Sequence, residues 1–214
     1  MNEIWDKVYS SDESFFGENE SHFAEMSYAD FNKQGVRKLL ELGCGQGRDT
    51  LFFASNDLEV HALDSSIIAI DNLRKKLKEK NISINLRHFD ARQGIPFSSN
   101  FFDAVYAHMF FNMGLTDDVL KLLFMECNRV LKNKGMLYFS VRSDKDAQYN
   151  TGRKIDNNIF EINGFQIRFF TKSQIRSFLS EKFQIKKIVE DYEEPASLYF
   201  VFCNKIENQN CRNG

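Results

Sequence analysis

Short apolar runs alternate with amphipathic segments through most of the chain. Residues 36–42 form a β-branched and leucine run that stops at a glycine, which predicts a strand. Residues 47–55 supply a short helix, and residues 58–64 a second strand. Ile67, Ile70, Leu73 and Leu77 then recur at helical spacing, with Arg74, Lys75, Lys76 and Lys78 on the other faces. Residues 84–89 and 102–109 predict the third and fourth strands. Thr116 opens a further helix as its N-cap, with Asp117 and Asp118 at the positive end. Leu120, Leu123, Phe124, Cys127 and Leu131 form that helix's apolar stripe. Gly135 punctuates the chain before a fifth strand at 136–141.

Strands alternating with helices of this length imply right-handed crossovers and an α/β fold, a parallel sheet covered on both faces. The pattern changes near residue 143. Residues 143–158 are polar without a period and predict a loop, and 159–170 predict a hairpin around Asn163-Gly164. Thr171-Lys172-Ser173-Gln174 matches a capping box before a helix carrying Ile175, Phe178 and Leu179. The last two strands, 183–190 and 198–204, lie too close together for a parallel crossover, so they pair antiparallel. The expected organisation is one domain over 1–206. It has an N-terminal lid or helix at 1–34, a variable substrate-side insertion at 143–170, and a flexible polar tail at 207–214.

Composition narrows the function classes. A formal charge of −2 gives no general attraction to polyanions, so nucleic-acid binding has no support. No apolar stretch approaches membrane-spanning length and the N-terminus lacks a leader pattern, which predicts a soluble cytoplasmic protein, monomeric or homodimeric. The four cysteines, Cys44, Cys127, Cys203 and Cys211, show no metal-ligand spacing, so no metal is expected and the thiols are read as reduced.

The main candidate chemistry lies in the turn Gly43-x-Gly45-x-Gly47 between a strand and a helix. Glycines let the backbone turn sharply and approach a ligand, and the helix start offers unpaired N–H groups to electronegative atoms. A dinucleotide fingerprint wants a small residue where Arg48 stands, and no GxxxxGK[ST] phosphate loop is present. Asp64 ends the second strand, where its carboxylate can accept bonds from both ribose hydroxyls; an NAD site would use the same arrangement. Asp90 follows the third strand, so acids stand at three successive strand ends on one sheet edge. Asp103 opens the fourth strand, away from that edge, where a structural and not a catalytic role is expected.

Glu41-Leu42-Gly43-Cys44-Gly45-Gln46-Gly47 resembles the first motif of class I methyltransferases that use S-adenosylmethionine (SAM), an acidic residue before a GxGxG turn. The resemblance covers most of the chain. Gly45-Gln46-Gly47-Arg48-Asp49 is also similar to the turn of small-molecule methyltransferases of the tellurite-resistance and thiopurine types. It implies a Rossmann-like sheet of seven strands in the order 3-2-1-4-5-7-6, the last antiparallel. It implies cofactor contacts at Glu41, Gly43, Cys44, Gly45, Asp64, Ser65, Asp90, Ala91 and Ala107, with Phe16 in an aromatic N-terminal lid. The expected reaction passes a methyl group to a small-molecule thiol, hydroxyl, amine, carboxylate or metalloid and releases S-adenosylhomocysteine (SAH).

His108 stands near the predicted reaction centre, where it suits either a general base or a hydrogen-bonded wall residue. Arg142 ends the fifth strand as a candidate contact to an anionic substrate, and Arg153 and Arg168 lie in the insertion. Two alternatives stand beside the methyltransferase: an NAD-dependent oxidoreductase, and a non-catalytic SAM-binding or partner-binding protein.

Overall fold

The computed structural model describes residues 2–207. Two helices come first, α1 (Asn2–Ser11) and α2 (His22–Gln34). The alternating body follows as β1 (Lys38–Leu42), α3 (Arg48–Ser55), β2 (Glu59–Asp64), α4 (Ile67–Glu79), β3 (Asn85–His88), β4 (Phe102–Ala107), α5 (Asp117–Val130) and β5 (Leu131–Arg142). The chain then forms β6 (Arg153–Asp156), β7 (Ile159–Ile162), β8 (Phe165–Arg168), α6 (Lys172–Leu179), β9 (Phe183–Glu193) and β10 (Ala196–Lys205).

The main sheet has seven strands in the order β3-β2-β1-β4-β5-β10-β9. With its strands counted alone this is the order the resemblance implies, and the last strand runs antiparallel to both neighbours. The β-rich runs are apolar throughout because both faces are covered: β1 has Leu39, Leu40 and Leu42 fully buried. One face packs on α5 and α6 through Leu123, Phe124, Cys127 and Leu179. The other packs on α2, α3 and α4 through Phe23, Phe31, Phe53, Ile70 and Leu73. Cys44, Cys127 and Cys203 are buried free thiols; Cys211 and most of the expected tail lie outside the described residues.

Caps fall where the side chains predict them. Thr116 accepts from the Val119 N–H, and Thr171 and Gln174 form the reciprocal capping box. Asn163 and Gly164 both take positive φ, at 51° and 84°, in the two-residue turn joining β7 and β8. Two expectations need correction. Leu131, read into the helix stripe, instead opens β5, which starts before Gly135. Part of the segment read as loop is strand β6, which pairs antiparallel with β7. All four of its residues are exposed, so its pairing rests on backbone bonds and leaves no hydrophobic alternation to read. The small sheet β6-β7-β8 stands over the carboxyl edge of the large one, linked to it by bridges at Met113–Ile167 and Ser143–Phe170.

Asp103 ties the sheet together at its far edge. Its carboxylate accepts from the N–H groups of Arg37 (3.1 Å) and Lys38 (2.9 Å) and from Lys132 Nζ (2.6 Å). That is the structural role expected of it.

Candidate active site

The glycine turn is built by its backbone. The Gly43 and Cys44 N–H groups both donate to the Leu63 carbonyl, at 2.8 and 3.1 Å, and Gly43, Gly45 and Gly47 all take positive φ. A Cβ on Gly43 would lie 2.8 Å from the Phe110 ring, and one on Gly47 would lie 2.1 Å from Leu73 Cδ1. Gly47 therefore lets α3 seat against α4.

Asp64 closes the turn from the next strand. Its Oδ2 accepts from the Gly45 N–H and its Oδ1 from the Ser66 N–H, both at 2.8 Å. Burial raises its pKa, and these backbone N–H groups only partly offset the effect. Asp90 caps a single 3₁₀ turn, Ala91–Gln93, and is held by Arg92 through bonds of 2.6 to 3.0 Å. That guanidinium keeps the Asp90 carboxyl below the usual range.

Above these strand ends lies a cavity of about 470 Å³. Gly43, Asp64, Ser65, Asp90 and Ala91 line one half. His108, Asn112, Arg142 and Glu193 line the other, and Trp5, Tyr9, Phe16, Phe165 and Ile167 contribute to the covering wall. Trp5 joins the two covering elements, packing on Phe165 at 5.2 Å and near Phe16 at 6.0 Å between ring centroids. The N-terminal segment is tied down by the turn itself. Arg48 Nη1 donates to the Phe16 carbonyl (3.3 Å), and a Cβ on Gly45 would lie 3.1 Å from the Tyr9 hydroxyl.

Four of the expected cofactor residues do not reach the cavity wall. Glu41 is buried beneath the turn, where it accepts from Thr50 Oγ1 at 2.6 Å. Burial and the neighbouring Asp49 push its pKa up to about 8. Cys44 and Ala107 are buried behind the lining, and Gly45 lies under Tyr9. Phe16, Gly43, Asp64, Ser65, Asp90 and Ala91 do line the cavity.

His108 is held at both ring nitrogens. Ser140 Oγ lies 2.7 Å from Nδ1, Glu193 Oε2 lies 3.1 Å from Nε2, and the ring stacks on Phe23. Arg142 is buried and donates through Nη2 to Asp146 Oδ1 (2.9 Å) and Gln148 Oε1 (2.7 Å). Its Nε and the Asn112 Oδ1 are buried without a partner among the described residues. Arg168 donates to the Leu115 carbonyl (2.8 Å) and to Asp117, tying the insertion to the start of α5, and Arg153 pairs with Glu161 within the insertion on the surface.

Beneath the cavity Asp49 gathers a network that reading the chain did not find. It accepts from Ser21 Oγ (2.8 Å), Tyr106 Oη (2.7 Å) and Arg48 Nε (2.9 Å). Burial opposes its ionisation, but His108 and Arg48 outweigh that and lower its pKa. Glu193 was also missed, because a glutamate at a hairpin tip carries no motif.

The match to known families decides what this architecture is. Residues 39–135 fit the family model described as a methyltransferase domain, spanning the glycine turn, Asp64 and Asp90. Those residues are a methyltransferase domain, and the sheet around them has the class I SAM-dependent methyltransferase fold. Solved structures of the methyltransferase fold superpose on most of the chain. A SAM-dependent methyltransferase from Clostridium acetobutylicum shares 14% identity with a TM-score of 0.74, covering 96% of this chain and 97% of that one. One from Methanosarcina mazei shares 18% with a TM-score of 0.72, covering 80% and 93%. TehB from Haemophilus influenzae shares 14% with a TM-score of 0.63, covering 85% and 61%. Comparison with curated protein sequences gives no significant match. Among the described residues the chain has no cluster of acidic, histidine or cysteine side chains able to hold a metal, and no helix long and apolar enough to cross a membrane.

Proposed function

We propose that this methyltransferase binds SAM in the half of the cavity over β1, β2 and β3 and methylates a small molecule held in the half over β4, β5 and β10. One observation carries the small-molecule reading: the cavity is roofed. Its volume of about 470 Å³ lies within the usual range for small-ligand sites, and α1 and the small sheet cover it. A macromolecular acceptor would need an open approach to the reacting edge.

The cofactor half suits SAM. Asp64 presents a carboxylate whose remaining lone pairs suit ribose hydroxyls, and Gly43 keeps the wall free of a Cβ. Asp90 and Ala91 sit at the next strand end for the adenine, and Ser65 lines the wall beside Asp64. Phe16 closes over that half. Glu41, Cys44, Gly45 and Ala107 act from behind, as the frame that shapes the turn and the end of β4. Bound there, SAM supplies a methyl group on a positively charged sulfur, and the protein's contribution is positioning and exclusion of water. In the acceptor half, Arg142 and Asn112 supply polar contacts for substrate recognition.

Calorimetry with SAM, SAH and NAD tests the cofactor, and a screen of small thiols, amines, phenols, carboxylates and metalloid oxyanions with labelled SAM tests the acceptor. SAM and SAH should bind while NAD does not, with label passing to one small-molecule class. NAD binding without SAM binding would overturn the cofactor, and label passing only to protein or nucleic acid would overturn the acceptor. SAM and SAH binding with no methyl passed to any acceptor would instead favour a binding protein without catalysis.

A further inference from the structure

The hydrogen bonds around His108 determine which of its nitrogens carries a proton. The Met109 N–H already donates to Ser140 Oγ at 2.9 Å. Ser140 Oγ lies 2.7 Å from His108 Nδ1 and can also donate its own hydrogen there. An ionised carboxylate only accepts, so Nε2 carries a hydrogen and donates it to Glu193 Oε2 at 3.1 Å, and in the neutral ring Nδ1 then accepts from Ser140. In this arrangement His108 has no free lone pair for a substrate. If the ring is doubly protonated it has none either. The Glu193 carboxylate, bonded to His108, is a basic group that lines the acceptor half, with Glu194 next to it in the chain and Asp64 and Asp90 in the cofactor half.

Glu193 ends β9, and the strand order places it on the same edge as the end of β5 and on the far side of β4 from Asp64 and Asp90. It lines the acceptor half, with its side chain 18% exposed. The Phe23 N–H holds Oε1 at 3.3 Å, a long bond that leaves lone pairs available. His108 and Arg48 face it, and Arg48 is already paired to Asp49.

We propose that Glu193 is the proton acceptor in methyl transfer, with His108 as its positioning partner, and that the substrate is a protic nucleophile: an amine, hydroxyl or thiol. The inference rests on the reading that the cavity takes SAM. The acceptor's nitrogen, oxygen or sulfur forms a bond to the methyl carbon while the carbon–sulfur bond breaks and its electron pair stays on sulfur as SAH. The proton released from the nucleophile passes to the Glu193 carboxylate.

Sinefungin, in which an amine replaces the methylsulfonium, tests this without a known acceptor. Its ammonium occupies the methyl position, so a carboxylate facing that position holds it through a charge-assisted bond that SAH lacks. Sinefungin should bind about tenfold more tightly than SAH to the unaltered protein, and Glu193→Gln should abolish most of that preference while SAH affinity changes less than about twofold. His108→Gln should reduce the preference by a smaller factor. An unchanged sinefungin-to-SAH ratio in Glu193→Gln would overturn the assignment. Should that variant lose SAH as well, the ratio in the unaltered protein decides. It must fall towards unity as Glu193 is protonated at acid pH, and a constant ratio overturns the assignment. Failure of SAH to bind the unaltered protein would overturn the cofactor reading itself, and this inference with it.

Discussion

Gln46 holds Phe15 from inside the glycine turn. Its Oε1 accepts from the Phe15 N–H at 3.1 Å, and its Nε2 donates to the Asp12 carbonyl at 2.7 Å. The residue between the second and third glycines thus faces the N-terminal segment and grips it. Lys76 adds a bond from α4 to the Glu13 carbonyl at 2.9 Å, and Asn72 one to the Tyr9 carbonyl at 3.1 Å. Loop 12–17 and the turn therefore form one unit, with Phe16 and Tyr9 carried over the cofactor half.

Gln46→Ala should loosen that unit. Two part-exposed hydrogen bonds contribute about 1 kcal/mol each, so SAH affinity should fall by roughly three- to thirtyfold if the segment is a lid. Calorimetry gives the affinity, and hydrogen exchange should show faster exchange at Phe15. Faster exchange with unchanged affinity would assign these aromatic residues to packing alone.

Asp64→Ala removes the carboxylate from the cavity wall and frees the Gly45 N–H. SAM binding should weaken by about 1–3 kcal/mol. Gly45→Val should weaken it further, because its side chain must displace the Tyr9 hydroxyl that now sits over the turn. Normal SAM titrations of both variants would place the cofactor elsewhere.

Glu41 predicts a pH dependence of stability. Its pKa rises on folding from 4.5 to about 8, chiefly through burial and then Asp49. The folded state therefore binds more protons at this site than the unfolded state between those values, and the site's contribution to stability falls as pH rises through that window. Glu41→Gln keeps the shape and removes the titration. The difference in Tm between the two proteins should shift in favour of the variant as pH rises from about 5 to about 8. A pH-independent difference by calorimetry would show that Glu41 is ionised in the folded protein.

Gly47 and Gly164 separate packing from backbone strain. Both have positive φ, near 87° and 84°, but a Cβ at Gly47 meets Leu73 while one at Gly164 meets nothing within 4 Å. Gly164→Ala should cost about 1 kcal/mol of stability, and Gly47→Ala about 1–3 kcal/mol more through displaced core packing. Equal losses by denaturant unfolding would mean that α4 yields without penalty.

The alternating sheet was legible because each strand buries both faces and each helix one, so periods of apolar residues record the layers directly. The glycine spacing and the acids at 41, 64 and 90 were legible because a sharp turn and a strand end restrict which residues serve there. These local constraints determined the fold class and pointed to SAM. Proximity between distant segments was decided only by the tertiary structure. Glu193 meets His108 because β9 returns along the sheet edge, and Trp5 meets Phe165 because α1 and the small sheet converge. Burial likewise separated Asp64, which lines the cavity, from Glu41, which lies beneath it, although both are acids at strand ends. A side chain's role depends on what the chain folds against it, and local sequence carries no record of that partner.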